Sequence, residues 1–273
     1  MPYLHLDSSL LDAARAACVA LPAAGLPPLL QRLRSRGWAV VAPISIVACI
    51  GAIAVSSAGA PALAWAALLL VPPGCALALG WAAHGARPLL AVLAVPLLVA
   101  AVAAPEEPVG EVARIALMGG ACVTAGRLLA GAAPLPLLEV GVVTMAIVDA
   151  TFLLGHLSEH QNAAFGAAVA APGLPKLHIA RLGDASCDFG DFFAAGLVGA
   201  ILARRGDPQV LAAVATFLVT QVFNQLFVVV DALPQTVPPT LVMLAFTASR
   251  LRQPGTIFTA RVAPATPQPP RDP

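Results

Sequence analysis

The sequence has very little charge: only 11% of its 273 residues are Asp, Glu, Lys or Arg, whereas soluble domains average about 25%. Hydrophobic residues make up 59% of the chain, and the mean hydropathy is +0.87. A soluble fold of this length has too little interior to bury so much apolar surface. A bilayer solvates such surface if every backbone polar group is bonded within the chain, as it is in helices. The scarcity of charge therefore excludes an ordinary soluble domain and predicts an all-α polytopic membrane protein.

The sequence also lacks an excess of either charge and any paired cysteine motif. The net charge is +1, so the electrostatic basis for binding nucleic acid is missing. None of the five cysteines forms a CxxC pair, which argues against common zinc and redox sites. The run from His156 to His160, with Glu159 between them, resembles an inverted zinc-protease motif but has no third ligand nearby. We therefore expect no metal, no cofactor and no nucleic-acid partner.

The hydrophobic runs divide the chain into three parts. Residues 1–36 contain a short amphipathic helix, prolines and a basic cluster, which indicate a segment lying at the membrane interface, with a short extra span as the alternative. Residues 37–252 form a multi-span membrane domain. The Pro-rich, polar residues 253–273 predict a disordered cytoplasmic tail. The candidate spans lie near 37–57, 60–82, 88–104, 111–131, 134–155, 187–203, 209–230 and 236–249.

The basic residues fall on one side of the membrane if these eight segments all cross it. They are Arg32, Arg34, Arg36, Arg87, Arg204, Arg205, Arg250 and Arg252. The acidic residues Glu106, Glu107 and Glu111 fall on the opposite side. Because Lys and Arg are enriched on the cytoplasmic side, we expect a multi-pass protein of the cell membrane with both termini in the cytoplasm. The loop at 156–186 is then outside.

Two aspartates lie deep inside neighbouring spans. Asp149 is about 15 positions into the span 134–155, and Asp191 is about 13 positions before Arg204, near the end of the next span. At about 1.5 Å per residue, both carboxylates lie roughly 20 Å from the cytoplasmic face. An ionisable residue in a span costs about 2.5–3.5 kcal/mol, so a function is expected. A carboxyl pair that shares one proton is how aspartic proteases activate water, whereas separate packing roles are the alternative.

The residues around these aspartates resemble the GxGD intramembrane aspartyl proteases, the presenilin and signal peptide peptidase family. Val148-Asp149 stands in place of the family's Tyr-Asp, and Asp188-Phe189-Gly190-Asp191 in place of its Gly-x-Gly-Asp. The Pro-rich stretch 232–239 occupies the position of its Pro-Ala-Leu motif. The resemblance covers roughly residues 134–249. The departures from the family pattern are Val148, Asp188 and the Pro234-Gln235-Thr236 sequence.

The resemblance implies a presenilin-like bundle of about eight to nine transmembrane helices, of a bacterial or archaeal type. Its implied activity is hydrolysis of peptide bonds in transmembrane segments of peptides or proteins, by water activated between Asp149 and Asp191. The residues expected to position the substrate are Gly190, Pro234, Gln235 and Thr236. Asp188 is expected to line the cavity, with helix capping as a second role. Asn224 shares one face of the span 209–230 with Gln221 and Gln225, at i, i+3 and i+4. This face is expected to line the cavity beside the aspartates, with hydrogen bonding to neighbouring helices as the alternative.

Two other functions fit the same residues. The aspartates would act as a proton relay in a proton-coupled secondary transporter. The altered Pro-Ala-Leu position also fits a catalytically inactive presenilin-like membrane protein. Cleavage of a membrane-embedded peptide distinguishes the protease from both alternatives.

Overall fold

The computed structural model describes residues 3–32, 34–228 and 233–252, so the predicted tail 253–273 lies outside the described residues. The helices are α1 (Tyr3–Ala20), α2 (Pro28–Gln31), α3 (Val41–Val55), α4 (Gly59–Leu77), α5 (Ala94–Ala103), α6 (Pro108–Ala132), α7 (Leu135–Leu154), α8 (Glu159–Ala167), α9 (Phe189–Arg205), α10 (Gln209–Asn224) and α11 (Val237–Leu251). Two short strands, β1 (Ile179–Leu182) and β2 (Ala185–Asp188), pair antiparallel. The predicted all-α class is confirmed.

Several of these helices are suited to lipid. Within the described residues, four helical stretches are long and apolar enough to cross a membrane: Arg36–Val55, Gly59–Ala82, Pro108–Ala132 and Leu135–Leu154. Shorter apolar stretches are Pro88–Ala103, Gln209–Asn224 and Val237–Leu251. Large apolar side chains such as Leu69, Leu70 and Val222 point outward. Outward-facing leucine and valine are costly in water and favourable in lipid, which is consistent with a membrane protein.

Proline and glycine set several helix ends. Pro108 occupies the first turn of α6, where its missing N–H is not needed and its fixed φ suits the helix. Pro238 and Pro239 lie in the first turn of α11 for the same reason. Gly206 ends α9 with φ 73°, the left-handed conformation that glycine adopts without strain. These residues explain why the predicted span ends agree with the helix ends to within a few residues.

Helix α6 is the centre of the bundle and packs against α1, α4, α5 and α9. Its contact with α9 is close because glycines meet there: a Cβ added at Gly126 would lie 2.6 Å from the backbone of Gly196. A Cβ at Gly196 would lie 2.7 Å from the Cys122 carbonyl oxygen. Gly199, one turn further along α9, faces the backbone of Val19 in α1. The small residues of α9 thus allow two helices to approach its backbone.

Helix α1 belongs to the bundle and packs against α9 and α10, with Leu11 and Val19 buried. Near its start, Asp7 lies beside Gly183 in the turn between the two strands. Just beyond its end, the Leu21 carbonyl accepts a hydrogen bond from the His84 N–H, at the opposite end of the bundle. Helix α1 therefore runs through the bundle from end to end. Among the described residues, α1 is not one of the four helices that are long and apolar enough to cross a membrane, and the interfacial placement of residues 1–36 stays a prediction.

Arginines tie the helices together at the end where α6 and α9 finish. Arg34 donates to the Gly131 carbonyl at 3.1 Å, and Arg204 donates to the carbonyls of Ala130 and Ala133. These bonds satisfy carbonyls that the last turn of α6 leaves free. Ion pairs at the same end are Arg205 with Glu139 and Arg250 with Asp207. The predicted basic side of the protein is thus also a hydrogen-bonded helix-end cluster.

The connection between α7 and α9 contains α8 and the β-hairpin. The strand pairing runs from Ile179 opposite Asp188 to Leu182 opposite Ala185, which leaves Gly183 and Asp184 as a two-residue turn. Gly183 has φ 55°, as such tight turns require. Strand β1 packs on α6, and Ala180 is fully buried. The hairpin therefore fixes the position at which α9 begins.

Candidate active site

The start of α9 is fixed by two aspartates that cap it reciprocally. The Asp188 Oδ1 atom accepts a hydrogen bond from the Asp191 N–H at 3.1 Å, and the Asp191 Oδ2 atom accepts one from the Asp188 N–H at 3.3 Å. This capping box satisfies two backbone donors that the helix itself cannot satisfy. It also holds the Asp191 carboxyl group in the first turn. Asp188 therefore has the capping role that was one of its two predicted roles.

Asp149 lies on α7, and its partner comes from the segment that precedes α11. The Thr236 hydroxyl donates to Asp149 Oδ2 at 2.6 Å, a length typical of a hydrogen bond to a carboxylate. Thr236 is only 2% exposed, so water does not compete for this bond. The contact links the first predicted catalytic residue to the Pro-Gln-Thr sequence.

A cavity of about 290 Å³ lies between these groups. The predicted site residues that line it are Asp149, Asp188, Gly190, Asp191, Pro234, Gln235 and Thr236. They come from three separate parts of the sequence: α7, the start of α9 and the segment before α11. As whole residues, Asp149 and Asp191 are half-buried and Asp188 is exposed. The structure thus brings the two predicted catalytic aspartates and all four predicted positioning residues to one cavity.

Asn224 was predicted to line this cavity, and the structure places it elsewhere. Its side-chain amide donates to Asp12 Oδ2 at 2.8 Å and its carbonyl oxygen accepts from Gln235 Nε2 at 3.0 Å. Asn224 is not among the cavity-lining residues. Asn224 therefore has the hydrogen bonds to neighbouring segments that were the alternative to a cavity-lining role, with the buried Asp12 of α1 as a partner.

Other cavity-lining residues were not predicted. Ser45 and Cys49 lie one turn apart on the same face of α3, and Asn162 and Phe165 come from α8. The i, i+4 spacing of two small polar side chains in an otherwise apolar helix is a signal for Ser45 and Cys49. No comparable pattern marks α8, whose position depends on packing against α3 and α4.

His178 supports the wall of the cavity from the connection outside the spans. It is 2% exposed, and its Nε2–H donates to the Phe165 carbonyl oxygen at 3.0 Å. Its ring also contacts the Phe165 ring, with 4.6 Å between centroids. Burial lowers the pKa of His178, which keeps the imidazole neutral at pH 7.

The His156–His160 run forms no metal cluster with its neighbours. His156 Nδ1 is hydrogen-bonded to Glu159, and both side chains are largely exposed. Across the described parts of the chain, no group of three His, Cys, Asp or Glu side chains is arranged to hold a metal ion.

The cavity has the groups needed for general acid–base chemistry. Like charges around a small cavity repel one another in a low dielectric, so the carboxyl groups cannot all be ionised cheaply. A site of this kind holds at least one proton, which makes one carboxyl an acid and another a base. No known protein family, curated protein or solved structure matches this chain. Its function therefore has to be inferred from the residues of the site.

Proposed function

We propose that this protein is an intramembrane aspartyl protease that hydrolyses peptide bonds in transmembrane segments, with Asp149 and Asp191 as the catalytic pair. The observation that carries the proposal is the convergence of Asp149, Asp191 and the Pro234–Thr236 segment on one cavity. Hydropathy alone does not require three separate stretches to meet there. The resemblance to the presenilin and signal peptide peptidase family, which rests on these same stretches, supports the proposal.

In the proposed reaction, one aspartate is ionised and removes a proton from a water molecule in the cavity. The water oxygen attacks the carbonyl carbon of the substrate, while the other aspartate gives its proton to the carbonyl oxygen. The tetrahedral intermediate then collapses: the aspartate that took the proton from water gives it to the leaving nitrogen, and the C–N bond breaks. One hydroxyl of the intermediate returns its proton to the other aspartate as the C=O bond re-forms. A carboxyl and an amine are released, and the pair again holds one proton. No covalent enzyme intermediate forms.

Hydrogen bonds hold the carboxyl groups of Asp149 and Asp191 in fixed orientations, which suits this chemistry. Thr236 fixes one oxygen of Asp149, and the Asp188 N–H fixes one oxygen of Asp191. Pre-oriented groups avoid the cost of ordering during the reaction. Gly190 carries no side chain between Asp188 and Asp191, so a substrate backbone can approach there.

The substrate helix has to unwind before its backbone can react. In a helix each carbonyl is bonded to an N–H four residues later, and side chains cover the backbone. The freed backbone groups need partners in a site shielded from lipid, which the Pro234–Thr236 segment supplies in this proposal. We expect substrates with helix-weakening residues near the cleavage site.

We also propose a sidedness for the bundle. The basic end, with Arg34, Arg204 and Arg250, faces the cytoplasm, in accordance with the enrichment of Lys and Arg there. The start of α1 and the β-hairpin then face the other side. The sequence prediction placed both termini in the cytoplasm. In the present proposal α1 also crosses the membrane, so the start of α1 lies outside while the C-terminal end of the bundle stays cytoplasmic.

The test is cleavage of a transmembrane peptide by the purified protein in detergent, with the products identified by mass spectrometry. The replacements Asp149→Asn and Asp191→Asn should each reduce the rate by about 10²-fold or more, because Asn cannot exchange a proton. Asp184→Asn is the matched control, since Asp184 lies in the hairpin turn, away from the cavity. Wild-type rates in both Asn variants would remove the pair from the mechanism.

The same preparation distinguishes the alternatives. A transporter would show no peptide products but would move protons in proteoliposomes, and the aspartate variants would abolish that movement. An inactive family member would show neither activity. Either result would replace the protease proposal.

A further inference from the structure

A closed ring of hydrogen bonds joins α1, α10 and the segment before α11. Arg15 Nη2 donates to Asp12 Oδ1 at 2.9 Å, and Arg15 Nη1 donates to Gln235 Oε1 at 2.7 Å. Gln235 Nε2 donates to Asn224 Oδ1 at 3.0 Å, and Asn224 Nδ2 returns to Asp12 Oδ2 at 2.8 Å. Each of the four side chains is hydrogen-bonded to two other members of the ring, and these two bonds fix its rotamer.

The ring is buried, which makes its bonds costly to break. Arg15 is 0% exposed and Asp12 is 5% exposed. Thr220 accepts a further bond from Arg15 at 3.2 Å, and Gln221 donates to Asp12 at 3.1 Å. Removing one partner leaves a buried charge unpaired, whereas the complete ring pairs Arg15 with Asp12.

The ring reaches the cavity through consecutive residues. Gln235 is held by the ring, and the next residue, Thr236, donates its hydroxyl to Asp149. The backbone at 233–236 is not part of a helix or strand, so regular hydrogen bonding does not fix it. The side chain of Gln235 therefore determines where Thr236 meets Asp149.

The same arginine acts on the other half of the pair. Its guanidinium group is near enough for its charge to attract the carboxyl groups of Asp188 and Asp191. One buried cation thus affects α7 through hydrogen bonds and α9 through its charge. Asp12 partly balances this cation and holds it in place.

We propose that Arg15, held by Asp12, is a positioning residue that sets Asp149 through Gln235 and Thr236. This proposal rests on the protease function proposed above. It makes α1 a part of the catalytic apparatus rather than an accessory helix. Arg15 does not line the cavity, so its effect is indirect.

The kinetic test compares Arg15→Met and Gln235→Leu with the wild-type protein, with rates calculated per folded molecule from monodisperse gel-filtration fractions. We expect kcat to fall about tenfold to a hundredfold, the size of effect caused by small displacements of reacting groups. In Arg15→Met, KM should change less than about twofold, because Arg15 does not line the cavity. Arg15→Lys keeps the charge but fewer donors, and should recover part of kcat. Gln235→Leu leaves the Asp12–Arg15 ion pair intact, so it tests the same link if Arg15→Met does not fold.

Arg127 provides the matched control, since it is 9% exposed, donates to backbone carbonyls such as that of Gly25 and stacks on the Trp81 ring, away from the cavity. Arg127→Met should destabilise the protein while leaving kcat per folded molecule unchanged. Wild-type kcat per folded molecule in both Arg15→Met and Gln235→Leu would overturn the proposal.

A double-mutant cycle separates this proposal from the protease proposal. The effects of Arg15→Met and Thr236→Val on thermal unfolding should be non-additive, although the two side chains do not bond directly. The effects of Arg127→Met and Thr236→Val should add. Additivity in the Arg15 cycle would overturn the positioning role even if the enzyme is active. A wild-type protein that cleaves nothing would overturn the protease function, while the cycle would still decide whether Arg15 controls Thr236.

Discussion

The hydroxyl of Thr236 donates a hydrogen bond that joins the Pro-Gln-Thr sequence to Asp149. Replacement with Val keeps the shape and removes the donor. We expect kcat to fall and the free energy of unfolding to decrease by about 1 kcal/mol, the usual net value of a buried hydrogen bond. Thr236→Ser keeps the hydroxyl and should retain most of both quantities. Peptide cleavage and thermal unfolding of the two variants check this.

Equal activity in the Val and Ser variants would contradict the orienting role of Thr236. Equal loss in both would instead point to the methyl group and to packing. The comparison therefore separates the hydrogen bond from the shape of the side chain.

His178 gives the fold a dependence on pH. An unfolded histidine titrates near pH 6.5, and burial lowers the pKa of His178 in the folded protein. The unfolded state therefore binds the proton first as pH falls. The contribution of His178 to stability is complete above about pH 6.5 and decreases as pH falls from there toward the folded pKa, by at most about 1.4 kcal/mol per pH unit.

The check is the melting temperature between pH 7.5 and 5 for the wild-type protein and His178→Gln. Glutamine can still donate to the Phe165 carbonyl but does not titrate. The variant should lose less stability on acidification than the wild-type protein. A parallel decrease in both proteins would assign the effect to other groups.

At the scale of helices, the crossing of α6 and α9 depends on the glycines where they meet. Gly196→Ala would put a methyl group 2.7 Å from the Cys122 carbonyl oxygen, so the helices have to separate. We expect a loss of about 1–3 kcal/mol, typical of overpacking. Gly51→Ala is the control, because nothing lies within 4 Å of a Cβ at that position in α3. The check is the thermal unfolding of Gly196→Ala and Gly51→Ala in the same detergent. Equal stability of the two variants would contradict the close contact of α6 and α9.

Most helices could be predicted because apolar runs in this chain are separated by Pro, Gly and charged residues. The ends of α6 and α9 are examples, marked by Pro108 and Gly206. Helix α1 was not predicted as part of the bundle, because Asp12 and Arg15 lower its hydropathy. In the folded protein these two residues form an ion pair, and Asn224 of α10 donates a hydrogen bond to Asp12. A hydropathy value does not include such partners. The hairpin was missed because four-residue strands carry too short a pattern to detect.

The candidate site was predictable to the extent that its residues lie at similar depths on adjacent helices. Asp149 and Asp191 could be paired by counting residues from the basic end of each span. The Arg15–Gln235 bond joins residues 220 positions apart, and no periodic pattern connects them. Asn224 shows the limit: the face that it shares with Gln221 and Gln225 indicated either a cavity or hydrogen bonds between helices, and only the packing of α1 determines which of the two forms.

At the scale of the whole protein, the path of α1 predicts which ends of the chain share a side of the membrane. A tag placed before residue 3 should be accessible from outside intact cells, and a tag after residue 273 only after permeabilisation. The reason is that Asp7 lies at the hairpin end of the bundle, whereas α11 ends at the basic end. Epitope labelling of the two fusions checks this, with a cytoplasmic protein as the control for leakage. Both tags on the same side would contradict a crossing by α1.

The central position of α6 has a consequence for biosynthesis. Helix α6 carries two largely buried arginines, Arg114 and Arg127, and is the most enclosed of the long apolar helices. Each arginine would cost about 2.5–3.5 kcal/mol if this helix met lipid alone. Helix α9, which covers its glycine face, is made about 60 residues later, several seconds of synthesis at about 5–20 residues per second. We therefore expect the nascent α6 to stay beside the insertion machinery or the earlier segments that bond Arg127 until α9 is made, so that the order of translation as well as hydropathy affects its assembly.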